Sequence, residues 1–384
     1  MSYATSTFSD MLQKADGRPS GFDYLRISLA IAITVFHSVR ITHGAEIDMA
    51  LWESHLRAPL RALLPMFFVL SGFLVAGSLV RCRTLISFLG LRVMRIYPAL
   101  IGEVLLSALI IGPLLTELPL SAYFTDYQFF RYLANVTGHI SFWLPGVFEN
   151  NPDPGIVNAQ LWTVPYELYC YLLLSALAVF GLKRHRWIGL AALIALMVAY
   201  WVFREFKPDP KAGLTNISGW MLIFYFLGGV SAYQFRDVIP ANPLLLVASV
   251  VLTGIFLHAG PTGEYFAVIP VTYVTVYIGL IDFGRTVFSR LSDLSYGLYL
   301  YHWTLQQWFV DVFPGAQSAW LTSVAGLVGG LLTAWFSWVL IERPALLSKR
   351  LIIRVEDYAL SILRRLRELA SPIYPRLSSQ GAER

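Results

Sequence analysis

Apolar residues in this chain gather in long unbroken runs rather than at every second or every third and fourth position. The runs fall at roughly 24–43, 59–80, 97–116, 159–181, 187–203, 217–235, 242–258, 264–281, 294–312 and 319–341. Most approach the roughly 20 residues that an α-helix needs to cross a bilayer. Gly and Pro clusters punctuate them at Gly112-Pro113, Asn150-Asn151-Pro152-Asp153-Pro154-Gly155, Lys207-Pro208-Asp209-Pro210 and Gly260-Pro261. The pattern predicts an all-α, polytopic transmembrane helix bundle of about ten spans, with no internal repeat and no low-complexity segment.

Composition sharpens this reading. Apolar residues make up 56% of the chain and charged residues 14%, with a mean hydropathy of +0.59. A soluble domain carries about 25% charge, so a water-soluble fold is excluded. The 11 Trp and 20 Tyr suit two interfacial belts. The net charge of +5 does not point to nucleic acid, because the basic residues are divided among loops between spans. Arg81, Arg83, Arg92 and Arg95 follow the second run, Lys183, Arg184 and Arg186 the fourth, Arg236 the sixth, and Arg285 and Arg290 the eighth. These loops share one side. The opposite side holds the longest loop, 117–158, whose charges are Glu117, Asp126, Arg131, Glu149 and Asp153. The asymmetry predicts cytoplasmic N- and C-termini.

Three regions follow from the pattern: a polar cytoplasmic segment 1–20, a membrane domain 21–344 and a basic tail 345–384. The first segment lacks the basic-then-apolar order of a cleavable signal. The tail sets Lys349, Arg350, Arg354, Arg364, Arg365 and Arg367 among Leu, Ile and Val. It reads either as an amphipathic helix on an anionic leaflet or, more plainly, as a solvated helical tail. The two cysteines, Cys82 and Cys170, have no metal-binding spacing and imply no disulfide framework, so no metal site is expected.

Ionisable groups inside apolar runs are costly and by default suggest function. The first run holds Arg26 near its cytoplasmic start and His37 towards its far end. Their separation is about three turns and roughly 16 Å of rise, and it leaves them only about 20° apart around the axis. One stripe thus presents a permanent cation and, deeper in, a titratable imidazole. The fourth run opens Gln160-Leu161-Trp162-Thr163-Val164-Pro165-Tyr166-Glu167 from the other side, so Glu167 is expected at a depth similar to His37. A carboxylate and an imidazole so placed form a base and its orienter, a proton relay or a structural ion pair. Pro165 is expected to weaken the helix and open room for a ligand. Arg92 and Arg95, one turn apart before Tyr97-Pro98, suit a phosphate-bearing ligand; taken alone, positive-inside anchoring is the preferred account, since it needs no ligand. Tyr296, Tyr299 and His302 read as pocket wall or interface rather than catalysts, with Trp162 and Tyr166 as further wall candidates. Ser71, beside Gly72, reads as helix packing or pocket wall and not as a nucleophile, since no base accompanies it.

Taken together, Arg26-x10-His37, FFVLSGF (67–73), RVMRIYP (92–98), LWTVPYE (161–167), LSYGLYLYH (294–302) and IERP (341–344) resemble the acyltransferase-3 family of membrane-bound O-acyltransferases. The resemblance runs in order across about residues 20–345 on that family's ten-span plan, and the LWTVPYE stretch is similar to members that modify bacterial exopolysaccharides. It implies transfer of an acyl group, commonly acetyl from acetyl-CoA, to a sugar hydroxyl at or beyond a bacterial inner membrane. No tightly bound cofactor is expected; the acyl-CoA is a substrate, and membrane lipids and a carbohydrate acceptor complete the partners. By the same resemblance His37 matches the essential histidine and Arg26 its paired arginine. Arg92 and Arg95 match arginines that meet the CoA phosphates, and Glu167 the carboxylate of a Trp-Ser/Thr-x-x-x-Glu motif. Some relatives fuse an extracytoplasmic hydrolase-like domain after the last span. The short basic tail here implies transfer by the membrane domain itself or hand-over to a separate protein.

Two mechanisms fit this set: His37 as general base for direct transfer, or a double displacement through an acyl-His37 intermediate. The aligned His, Glu and Arg also fit a second class, a proton-coupled transporter of an acidic or sugar-linked substrate, though no repeat symmetry is visible. A scaffold protein would not need intramembrane charges. In the loop 117–158, Trp143, Phe142 and Tyr127 offer faces on which a sugar could stack.

Overall fold

Long apolar segments satisfy their own backbone hydrogen bonds most readily as helices, and a computed structural model, describing residues 6–206, 218–347 and 349–370, is built from them. The helices are α1 (Phe8–Lys14), α2 (Gly21–His43), α3 (Ala45–Glu53), α4 (Arg57–Arg81), α5 (Leu85–Leu106), α6 (Gly112–Leu115), α7 (Leu120–Thr125), α8 (Tyr127–Leu133) and α9 (Val164–Val179). They continue with α10 (Trp187–Phe206), α11 (Gly219–Gln234), α12 (Pro243–His258), α13 (Pro261–Leu280), α14 (Val287–Arg290), α15 (Ser295–Val312), α16 (Ala319–Ser337), α17 (Arg343–Leu347) and α18 (Lys349–Ala370). A π-helical turn at Ser107–Ile111 joins α5 to α6.

Among the described residues, seven segments are long and apolar enough to cross a membrane: Gly21–His43, Arg57–Arg81, Leu85–Leu115, Ala159–Val179, Trp187–Arg204, Thr262–Leu280 and the run that begins at Ala319. Helices also occupy the other three expected positions but fall short of that measure. α11 and α12 have 16 residues each, and α15 carries His302, Gln306, Gln307 and Asp311 among its apolar residues. The outward faces of α10, α12 and α16 are apolar, with Val198, Leu244, Val247, Ile255, Trp320 and Leu332 all exposed. Water would not tolerate so large an apolar belt.

The centre of the bundle is α11, buried on nearly every side, as a helix without a polar face must be. It lies against α4 so closely that a Cβ on Gly72 would strike the Phe226 carbonyl, and one on Gly229 would strike the Val69 carbonyl. Small residues let the two backbones meet without side chains between them. α2 packs beside α15 and α16, and α9 approaches α11 and α5.

Several expected boundaries shift. Arg92 and Arg95 lie on a helix, not in a loop: Thr84 caps α5 by accepting from the Ser87 amide at 3.2 Å, and the helix runs from Leu85 through Pro98. Pro165 does not break a helix. A 3₁₀ turn covers Ala159–Thr163 and α9 starts at Val164, so Pro165 occupies the first turn, where its missing N–H leaves no bond unmade. The long loop 117–158 is also ordered by α7 and α8. The expected Lys207–Pro210 break lies outside the described residues.

The expected tail helix forms as α18 and packs on α5. Thr84 donates to Glu356 at 2.5 Å, and Ile352 faces Gly90. Ile353, Val355 and Tyr358 are exposed, as are Arg354 and Arg365; the side chains of Lys349, Arg350, Arg364 and Arg367 lie outside the described residues.

The α4–α11 contact yields a direct expectation. Gly229→Val forces these helices apart and lowers stability by about 1–3 kcal/mol. Thermal unfolding in detergent checks it, with Gly254→Ala, at a position open on every side, leaving the melting temperature level or slightly raised.

Candidate active site

Two cavities lie end to end inside the bundle. The first is lined by Arg26 from α2, Ser71 from α4, Arg92 and Arg95 from α5, Glu167 from α9 and Tyr296 from α15. Three guanidinium groups thus face one carboxylate. Glu167 accepts a hydrogen bond from Tyr171 at 2.5 Å. Arg92 donates to Ser78 at 3.3 Å and lies over the Tyr171 and Phe88 rings, each 6.0 Å from the centroid. Arg95 lies over Trp338. Among the described residues no ion pair within 4.0 Å ties any of these arginines to Glu167. The lining is therefore net cationic and suits an anion with several oxygens.

The second cavity is lined by His37, Arg40, Asp48, Trp52, Phe142, Gln160, Trp162 and Trp303. His37 Nδ1 lies 2.8 Å from His302 Nε2. The two rings are nearly parallel, 9° apart, with centroids 5.1 Å apart. His302 is fully buried, and its Nδ1 lies 3.0 Å from the Leu298 carbonyl. Trp303 stands edge-on to His37 at 4.8 Å and carries Arg40 over its face at 5.8 Å. Arg40 is held in turn by Asp153, at 3.0 and 3.3 Å, and by Asp48 at 3.6 Å. Burial raises the Asp48 carboxyl above the ordinary carboxylate range, against the pull of Arg40.

The cavities share two lining residues, Leu64 and Tyr299. The Tyr299 hydroxyl is fixed to Thr163 at 2.8 Å and to the Gln160 carbonyl at 3.3 Å, while its ring packs near Phe67 and His302. A phenol ring and an isobutyl group therefore stand where the arginine cavity adjoins the histidine cavity.

A buried carboxylate fastens the loop that leads into the site. Glu103 Oε1 accepts from Asn158 at 2.5 Å, Ser107 at 2.7 Å, and Tyr132 and Thr304 at 3.3 Å each. Asn158 and Gln160 both reach the Leu300 carbonyl, at 3.0 and 2.8 Å. The loop 117–158 is thereby fastened to α5 and α15 just where the 3₁₀ turn enters the site.

Of the residues singled out from sequence, Arg26, Ser71, Arg92, Arg95, Glu167 and Tyr296 share the arginine cavity, and His37 and Trp162 the histidine cavity, with Tyr299 at both. The expected approach of Glu167 to His37 does not occur, because the late start of α9 leaves Glu167 in the arginine cavity. His302 takes the place beside the imidazole. Tyr166 lines neither cavity; its ring packs among Trp162, Tyr169 and Trp220. Phe142 reaches the histidine cavity, but Trp143 and Tyr127 are exposed away from it. Sequence reasoning missed Arg40, Asp48, Asp153 and Glu103. Arg40 and Glu103 stand in apolar runs and could have been flagged on that ground; the pairing of His37 with His302, 265 positions on, had no local signal.

A family model described as an acyltransferase domain (acyltransferase-3) matches residues 20–342. Among curated relatives, nodulation protein 10 of Rhizobium leguminosarum bv. viciae is 27% identical over 361 residues, covering 87% of this chain and 95% of the relative. The O-acetyl transferase of Shigella phage Sf6 is 24% identical over 339 residues, covering 84% of this chain and 94% of the relative. No solved structure matches the chain.

Removing the supporting carboxylate tests the scaffold. Glu103→Ala leaves four buried donors without their common acceptor and is expected to lower stability by about 3 kcal/mol or more. Limited proteolysis within 117–158 should accelerate, while Glu103→Gln, which keeps an acceptor oxygen, falls between that variant and wild type.

Proposed function

The chain belongs to the acyltransferase-3 family, and on that premise we propose that it transfers an acetyl group from acetyl-CoA to a hydroxyl of a cell-surface or exopolysaccharide sugar. Family membership and the phage O-acetyl transferase both support O-acyl transfer. The observation that carries the finer reading is the cationic cavity beside a histidine cavity, with Leu64 and Tyr299 lining both.

In this reading Arg26, Arg92 and Arg95 bind the CoA phosphates, for which bidentate guanidinium donors are well suited. Glu167 balances and orients those guanidinium groups instead of the imidazole. The pantetheine arm extends past Tyr299 and brings the thioester to His37. The acceptor sugar occupies the histidine cavity, where the tryptophans offer flat apolar faces. His37 takes the proton of the acceptor hydroxyl as its oxygen attacks the thioester carbonyl carbon. The carbon–sulfur bond breaks, the ester remains on the sugar, and the thiolate leaves with the proton from the imidazolium as free CoA.

The same reading carries α2, α4, α5, α9 to α13, α15 and α16 across a bacterial inner membrane, with both termini cytoplasmic by the distribution of Lys and Arg in the loops. The acyltransferase domain is 21–344. α18 lies on the anionic inner leaflet, its exposed apolar residues towards the acyl chains.

Purified protein in detergent, given acetyl-CoA with and without acceptor polysaccharide, provides the test. Wild type is expected to release CoA, His37→Ala to lose at least about 100-fold in rate, and Arg92→Ala to raise the KM for acetyl-CoA about tenfold with kcat little changed. A folded wild type that releases no CoA under either condition overturns the donor assignment.

A further inference from the structure

The geometry points to a positioning role for His302: we propose that it sets the tautomer of His37 and so selects His37 Nε2 as the atom that receives the acceptor's proton. The inference rests on the acyl-transfer reading for its purpose, though not for its geometry.

A carbonyl oxygen has lone pairs and no proton. At 3.0 Å from the Leu298 carbonyl, His302 Nδ1 must therefore be the N–H donor. A neutral imidazole carries one N–H, so His302 Nε2 is a bare acceptor. That acceptor lies 2.8 Å from His37 Nδ1, which must then hold the His37 proton. The near-parallel rings and their 5.1 Å separation match an edge-to-edge hydrogen bond, in which donor and lone pair lie in the ring planes. His37 is left with Nε2 unprotonated.

The opposite tautomer would set the bare Nδ1 of His302 against the Leu298 oxygen, lone pair to lone pair. The chain of bonds Leu298 C=O, His302, His37 thus runs in one direction only. When His37 Nε2 takes up a proton, its Nδ1–H already points at an acceptor, so no group has to turn. A carboxylate in the position of His302 would orient the ring equally well, but burying an anion in apolar surroundings is costly. A neutral imidazole avoids this.

Two measurements test the proposal. The first is ¹⁵N NMR of histidine-labelled protein at neutral pH, with the His37 signals identified by their loss in His37→Ala. A protonated Nδ1 and bare Nε2 on His37 are expected; the reverse tautomer overturns the proposal whatever the activity. The second compares His302→Leu with His302→Gln, whose amide N–H can reach the Leu298 carbonyl while its oxygen accepts from His37. His302→Leu is expected to lose about 100-fold in kcat for CoA release, with the KM for acetyl-CoA unchanged and the melting temperature recorded alongside. His302→Gln should recover to within about tenfold of wild type. Equal losses in both variants at wild-type stability, or full activity in His302→Leu, overturn it. Absence of CoA release from wild type would instead reject the acyl-transfer reading, and the tautomer measurement would still decide the geometry.

Discussion

Lipid cannot accept or donate a hydrogen bond, so a polar group carried into the bundle is stabilised by partners inside the protein. The buried network follows from this constraint. Glu103 collects four side-chain donors on one oxygen. Gln307 bonds the Asp153 and Ile156 carbonyls at 2.8 and 2.9 Å while accepting from Asn151. His302 spends one nitrogen on its own helix and the other on His37. Each bond that satisfies a stranded group also fastens one helix, or the loop 117–158, to another. The polar groups that make insertion costly are therefore the ones that hold the site in shape.

The two cavities draw on the same helices. α2 sends Arg26 into one and His37 into the other; α15 sends Tyr296 into the first and stations Tyr299 at the wall and His302 behind the imidazole. Such sharing fixes the distance between the anion-binding groups and the histidine through rigid helices rather than through loops. It also explains why α15 carries more polar groups than a helix facing lipid could: most of that helix is enclosed by protein.

Much of this was legible from residue order. Long apolar runs marked α2, α4, α5, α9 to α13, α15 and α16, and charges within or beside them marked Arg26, His37, Arg92, Arg95 and Glu167, all of which line one of the two cavities. Depth counting along the first and fourth runs was less successful. It assumed that the fourth helix starts at Gln160, whereas a 3₁₀ turn rises faster and with a different phase, and Glu167 therefore faces the arginines. The start of α5 was hidden because Arg92 and Arg95 interrupt the otherwise apolar stretch that begins at Leu85. Contacts such as His37 to His302 and Asn158 to Glu103 join residues 265 and 55 positions apart, and no periodicity encodes them.

The wall at Leu64 and Tyr299 has a consequence outside catalysis. If the arginine cavity opens towards one leaflet and the histidine cavity towards the other, they hollow the protein from both ends, and most of the membrane's electrical thickness collapses onto whatever separates them. A cell that stores energy as an ion gradient cannot carry an open conduit of that width. Held by its hydroxyl contacts to Thr163 and Gln160, the Tyr299 ring would then double as a permeability seal between the two sides.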